Sequence, residues 1–459
     1  MVSFSLKEVL EATGGRLLQG GEIRFEGVST DSRKIRGGEL FFALRGERRD
    51  GHDFVPEAIR KGASGAVIHK ETPGVPLGRP LILVRDTLFA LGELARWWRK
   101  KCSFTLVAIT GSVGKTTTKE MLAGILASEK RVGKSPGNYN NLIGVPLSLL
   151  QMDDRVQVAV LELGMNRSGE IKRLSEISQP QIGVITGIGP VHLEGLGDVE
   201  AVKEAKGELL SSIEDGFFVY NADDPRTREL ASRFRGRKVS FGLSPFAEYR
   251  ASEIDLHEGL RFNLYTPRGR LSLKLRLLGE HFVWSALAAS ACADLLGIGL
   301  DGIRRGLEGF RPLPMRMELR TIRGVNVIND AYNANPASME AALKALSSRK
   351  GRKFALLGDM AELGSETERL HRELGEFCAH LPLEGLFLLG EQARTVAEGA
   401  RKRGMEERKI VVARDHREIA HALAQRVREG DWLLVKGSRI MATERVIEIW
   451  EEISGGEGA

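Results

Sequence analysis

Residues Thr110-Gly111-Ser112-Val113-Gly114-Lys115-Thr116-Thr117-Thr118-Lys119-Glu120 constrain this chain more than any other stretch. The apolar run 106–109 before them reads as a buried strand, and the apolar-rich stretch 121–127 after them suits a helix. A strand that passes through a glycine turn straight into a helix belongs to a helix-covered sheet. The turn also dictates a ligand class. Its glycines let backbone N–H groups turn inward around an anion, and the helix start adds the positive end of its dipole. Lys115 can reach the outer phosphates of a nucleotide, and the Thr116 hydroxyl can ligate Mg²⁺. The first glycine of the general phosphate-loop pattern is Ile109 here, so the loop reads Thr-Gly-x-x-Gly-Lys-Thr-Thr. A glycine turn that merely caps a helix would account for less, because motif and context agree.

With 459 residues the chain exceeds one hydrophobic core, so two or three domains are expected. Residues 1–98 carry short strand-like pieces at 40–44, 65–69 and 81–84 and close on a helix at 88–101. Residues 99–312 alternate strands (105–110, 156–161, 182–186, 216–221) with helices (115–127, 199–211, 283–296), which argues a mainly parallel sheet. Within them, 247–278 alternates like an antiparallel patch. Residues 313–459 follow a stiff Arg-Pro-Leu-Pro connection and hold strands at 326–328, 353–358, 385–389, 410–412 and 432–436, a second α/β sheet. The glycine-rich tail 454–459 is expected to be disordered.

The formal net charge of +6 and pI near 9.1 fit an anionic small substrate as well as nucleic acid. Basic residues form no sustained block and aromatics are sparse, so no nucleic-acid partner is expected. The longest apolar run, 285–300, is broken by Asp294, so no membrane span is expected. Three distant cysteines and the absence of a signal-like N-terminus suggest reduced thiols in a cytoplasm. A monomer is expected.

Other constellations carry chemistry. Glu162 ends an apolar strand and, beside a phosphate loop, is well placed to hold Mg²⁺. The glycine-rich loop 186–197 brings His192 and Glu194 to the ligand edge of the sheet; His192 can serve a metal or simply make one backbone bond. Lys206 follows on the next helix, where a lysine is usually solvated; facing Mg²⁺ it could be carbamylated. Asn138-Tyr139-Asn140-Asn141 supplies amides suited to sugars and peptides, or to turns. Asp330 ends a strand where it can accept from ribose hydroxyls, and Asn335-Pro336 can start a helix.

In this order the pieces resemble the Mur ligases of peptidoglycan synthesis over nearly the whole chain. The resemblance rests on Ser29-Thr30-Asp31-Ser32-Arg33, Gly38 to Gly46, Asp50-Gly51-His52-Asp53-Phe54 and the phosphate loop. It rests equally on Asp330-Ala331-Tyr332-Asn333-Ala334-Asn335-Pro336, Gly358-Asp359-Met360-Ala361-Glu362-Leu363-Gly364 and Val435-Lys436-Gly437-Ser438-Arg439. It implies an α/β fold of three domains: a UDP-substrate domain (1–98), a central ATP-binding domain (99–312) and a C-terminal Rossmann-like domain for the acceptor (313–459). It implies ATP and Mg²⁺, and the joining of D-alanyl-D-alanine to a UDP-N-acetylmuramoyl-tripeptide through an acyl phosphate. By the same resemblance Gly111, Ser112, Val113, Gly114, Lys115, Thr116, Thr117, Arg316 and Asp330 hold ATP. Thr116, Glu162, His192 and a carbamylated Lys206 serve the metal, and Lys115, Lys206 and His192 serve catalysis. Ser32, Arg33, Gly46, Asn140 and Asn141 belong to the UDP substrate, and Tyr332, Asn333 and Asn335 to the dipeptide.

One departure stands out. Where the family has Gly-x-His-Asn-x-x-Asn-Ala, this chain has Gly279-Glu280-His281-Phe282-Val283-Trp284-Ser285-Ala286. Phe282 can pack on a purine in place of the lost amide. A folylpolyglutamate synthase-like ligase would lack the Asp31-Ser32-Arg33 region, and a nucleotide switch would turn over without an acceptor. The three domains are expected to close by hinges at 99–102 and 311–314, with Asp330 far from Lys115 before closure.

Overall fold

The computed structural model describes residues 2–46, 48–213 and 215–453. The expected tail 454–459 lies outside them. Among the described residues three large sheets are strung along the chain. The first has five strands in the order Arg16–Gln19, Leu81–Leu83, Gly65–Ile68, Leu40–Phe42, Val28–Ser29, beside a ribbon of Phe4–Ser5 and Arg24–Phe25. Apolar side chains such as Phe41, Ala66 and Ile68 are buried on one face, and Phe4, Phe25 and Phe42 join the main core on the other.

The central sheet runs Gly269–Leu275, Leu260–Thr266, Tyr249–Asp255, Arg237–Gly242, Phe217–Asn221, Ile182–Ile185, Thr105–Thr110, Val158–Glu162, Val132–Lys134. The phosphate-loop strand lies between two strands that follow it in the chain, so the order reverses beside it; ligands of open α/β sheets bind at such a point. The antiparallel patch expected at 247–278 is real. It is not separate: Tyr249–Asp255 pairs parallel with Arg237–Gly242 and carries the sheet outward. The helix Phe282–Leu295 is buried almost all round and packs on Lys115–Leu126. Its Asp294 accepts from the Tyr249 hydroxyl and pairs with Arg268 at 2.9 Å, which makes an acid tolerable in an otherwise apolar helix.

The last sheet runs Glu318–Ile322, Val325–Asp330, Trp432–Lys436, Lys353–Gly358, Gly385–Leu389, Ile410–Ala413. All its pairings are parallel except that of the first two strands.

One expected helix changes character along its length. The helix expected at 199–211 is α-helical only over Val199–Gly207 and continues as a tighter 3₁₀ turn, Glu208–Ser212. The boundary expected between residues 98 and 99 falls inside a helix, Thr87–Lys101. The segment 99–102, where a hinge is expected, carries a clamp of side-chain hydrogen bonds in this arrangement. Arg99 is buried and donates to Ser178 O (2.8 Å), Cys102 O (3.2 Å), Gln179 O (3.3 Å) and Gln181 Oε1 (3.1 Å), and Trp98 Nε1 reaches Met152 O at 2.8 Å.

Candidate active site

The loop between Thr110 and Lys115 has the shape that its glycines demand. Gly114 has φ +86 and Gly111 φ +147, and a Cβ on Gly111 would lie 2.0 Å from Thr186 Oγ1. Side chains are therefore excluded where the backbone turns inward. The Thr186 hydroxyl donates to Val113 O at 2.5 Å, and Ser112 Oγ donates to Gly189 O, so the phosphate loop is held by the second glycine-rich loop. Asp224 steadies that loop by accepting from Ile188 N at 2.7 Å.

Parallel register places the acid. Glu162 pairs with Ile109, one residue before the loop begins. Its carboxylate is buried and accepts from Thr116 Oγ1 at 2.7 Å and from Asn140 Nδ2 at 2.8 Å. Asn140 is thus engaged with the carboxylate expected at the metal. Asn141 accepts from the N–H groups of Ile143 and Gly144, which is turn chemistry. Buried Lys119 pins the same segment by donating to Ser135 O and Gly137 O.

Two lysines three residues apart on one helix have opposite surroundings. Lys203 is buried but ringed by Glu200 (2.6 Å), Glu229 (2.9 Å) and Glu204 (3.4 Å), which raise its pKa. Lys206 is just as buried, and among the described residues its amine has no hydrogen bond or ion pair; burial, with Lys115 nearby, pushes its pKa well below the ordinary range. A solvated face was the ordinary expectation for this position, and the structure overturns it. Burial that makes the amine easier to deprotonate favours the form that can take up carbon dioxide. Lys115 donates to Gly111 O at 2.7 Å, and burial lowers its pKa as well, with Glu162 opposing and Arg316 assisting.

The donors suit a hard cation. The Thr116 hydroxyl and the Glu162 carboxylate are in contact, and a carbamate on Lys206 would add a further anionic oxygen. Among the described residues no three His, Cys, Asp or Glu side chains form a ready-made metal cluster.

A cavity of about 540 Å³ unites these groups with the last sheet. Ser112, Val113, Gly114, Lys115, Thr116, Thr117, Asn140, Glu162, His192 and Lys206 line it from the central sheet; Arg316, Asp330, Tyr332, Asn333, Asn335 and Lys436 line it from the other side. Asp330 and Lys115 therefore line one cavity. Adjacent parallel strands put Asp330 level with Lys436, whose amine reaches Asp330 Oδ2 at 2.5 Å and Asn333 O at 2.9 Å. The second Asp330 oxygen accepts from Met317 N. Arg316 lies 3.8 Å above the Tyr332 ring. Asn335 caps the helix Pro336–Ser347 in a reciprocal bond with Ser338, the helix-start alternative.

His281, Phe282, Trp284 and Ser285 line the same cavity. Trp284 Nε1 donates to Asp223 Oδ2 at 2.7 Å, and the Phe282 ring lies 4.4 Å from that of His281. Ser32, Arg33 and Gly46 are not part of this cavity. Arg33 is exposed and paired with Asp31 at 2.9 Å, and Ser32 is buried against Glu57. His192 faces Glu362 at 2.5 Å across the two sheets. No role had been assigned to Glu362 or Lys436 from sequence, although both lie in motifs quoted above.

Family models match in chain order: the Mur ligase family catalytic domain over residues 24–99, the Mur ligase middle domain over 109–293 and the Mur ligase glutamate ligase domain over 315–439. The chain belongs to the Mur ligase family. The UDP-N-acetylmuramoyl-tripeptide–D-alanyl-D-alanine ligase of Bacillus subtilis is 35% identical over 455 residues, covering 98% of each chain. MurF from Acinetobacter baumannii superposes with a TM-score of 0.91 at 33% identity, over 98% of this chain and 99% of that one. MurF ligase from Thermotoga maritima, solved in complex with ADP, gives 0.84 at 31% identity over 94% and 98%. The family consists of ATP-dependent ligases, and the mainly parallel α/β sheets seen here are its architecture.

Proposed function

We propose that this protein is an ATP-dependent peptide ligase that joins D-alanyl-D-alanine to UDP-N-acetylmuramoyl-tripeptide in the synthesis of peptidoglycan precursors. The observation that carries the reading is the cavity in which Lys115, Glu162 and Lys206 of the central sheet face Arg316, Asp330 and Lys436 of the last one. The carboxylate of the tripeptide attacks the outer phosphorus of ATP, ADP leaves, and an acyl phosphate forms. The dipeptide amine then attacks the acyl carbon, the carbon–oxygen bond to phosphate breaks, and the amine gives up a proton.

Each residue has a physical task. The phosphate-loop N–H groups and Lys115 offset the repulsion between ATP and the incoming carboxylate. Thr116, Glu162, His192 and a carbamylated Lys206 would hold Mg²⁺, which supplies charge neutralisation on the phosphates. Arg316 and Asp330 contact the nucleotide, and the Tyr332-Asn333 turn serves the dipeptide by positioning the amine. Ser32, Arg33 and Gly46 bind the UDP end, with residues 1–98 as that substrate's domain. Among the described residues no helix is long and apolar enough to cross a membrane, in keeping with a cytoplasmic monomer acting on small substrates.

The test is phosphate release over a panel of UDP-muramoyl peptides and acceptors. Release that requires both UDP-tripeptide and D-alanyl-D-alanine is expected. Turnover without the dipeptide would refute the assignment and point to a nucleotide switch.

A further inference from the structure

We propose that Glu362 is a positioning residue for His192, through which docking of the last sheet sets that histidine for work at the phosphate site. The inference rests on the function proposed above. His192 belongs to the loop after strand Ile182–Ile185, and Glu362 to the turn after strand Lys353–Gly358, 170 residues later in the chain. Their side chains meet at 2.5 Å. Both residues hold left-handed backbone, with φ +54 and +62, although neither is glycine. Such a conformation costs on the order of 1 kcal/mol per residue and persists where its surroundings impose it.

The surroundings here are a second and a third contact between the same two loops. Glu194 N donates to Glu362 O at 3.2 Å. Gly364, at φ +57, lies so near Glu194 that a Cβ on it would come 3.1 Å from the Glu194 Cα. The two loops are seated backbone against backbone.

An ionised carboxylate only accepts, so the shared hydrogen resides on His192 Nδ1. Nε2, across the ring, takes no part in this contact, and His192 lines the cavity that holds Lys115 and Glu162. A carboxylate on the far nitrogen is how a histidine is fixed in ring orientation and tautomer for ligation or for accepting a hydrogen bond. Among the described residues no side chain of the central sheet's own segment bonds to Nδ1. The histidine is therefore oriented only while the last sheet is docked. Docking of the last sheet and orientation of His192 thereby become a single event.

The test uses the full chain with nitrogen-15 histidine, comparing wild type, Glu362→Ala and Glu362→Gln. The His192 signal is identified by its loss in His192→Asn. Wild type is expected to show a hydrogen on Nδ1, shared with Glu362. Glu362→Ala should shift the ring toward the Nε2-protonated tautomer, and Glu362→Gln, whose amide oxygen still accepts, should keep the wild-type pattern. In parallel kcat should fall about tenfold or more in Glu362→Ala, with KM for ATP nearly unchanged, and be largely restored in Glu362→Gln. An Nε2-protonated ring in wild type, or a His192 signal indifferent to Glu362→Ala, would overturn the proposal. The spectra require no turnover, so a failure of the ligase assignment would appear separately, as phosphate release independent of the dipeptide.

Discussion

His281 offers a stability test whose size can be worked out beforehand. Its ring lines the cavity, its Nδ1 is buried without a partner, and burial pushes its pKa down to about 4, with Lys436 adding to the shift and Asp330 opposing it. In the unfolded chain the ring titrates near 6.5. Between these values the unfolded state binds the additional proton, so acid favours unfolding: the contribution is intact above about 6.5 and is lost as pH falls toward 4. Between pH 7.5 and pH 5 the linkage amounts to about 2 kcal/mol, an upper figure because the ring edge reaches the cavity. His281→Gln cannot titrate. Urea unfolding of both chains at the two pH values isolates the effect, because other groups, such as the buried His371 whose pKa is also lowered, titrate alike in each. Wild type should lose about 2 kcal/mol more than the variant on acidification. Equal losses would refute the reading of His281 as a ring held neutral by burial.

Lys206→Ala should be nearly inactive, and a short carboxylic acid in the buffer should restore part of the rate; full activity of a chain whose carbon-13 spectrum shows a free Lys206 amine would contradict carbamylation. Lys115→Met should fold normally yet lose ligation at saturating ATP, measured as ADP release, because the phosphate loop loses its one side-chain cation. Arg99→Ala takes the donor from Ser178 O and Cys102 O and one of two donors from Gln179 O and Gln181 Oε1, and should lower unfolding stability by about 3 kcal/mol, read from urea midpoints; a loss under about 1 kcal/mol would reject the clamp. Arg33→Ala should raise KM for the UDP substrate and leave that for ATP unmoved, and a parallel rise in both would deny a separate uridine site.

Strands of the last sheet were legible because buried parallel strands read as unbroken apolar runs. Lys353–Gly358, Gly385–Leu389 and Trp432–Lys436 fall where the sequence puts them. The phosphate loop, Glu162 and the Asp330 turn were legible for a related reason: each follows directly on such a run. What could not be read locally was pairing over distance. Nothing around residue 249 says that an antiparallel extension will hydrogen-bond to Arg237–Gly242. Nothing around Lys203 and Lys206 says that the first will meet three glutamates and the second none, since Glu229 arrives from another helix. Glu362 becomes visible only when two loops 170 residues apart are seated together. Arg99 shows the same limit: nothing in a basic run at a helix end points to the carbonyls it serves near residue 180.

The helix Thr87–Lys101 has a mechanical consequence. It is riveted to the central sheet's helices by Arg173 on Glu93 at 2.8 Å as well as by Trp98 and Arg99. It is riveted to the first sheet by Thr87 Oγ1 on Ala43 O and by Lys101 on Glu8, both at 2.9 Å. One rod of 15 residues, about 22 Å long, is thus a party wall between two neighbours. A wall shared in this way couples the first sheet to the central one, so that a substitution which shifts this helix is felt on both sides.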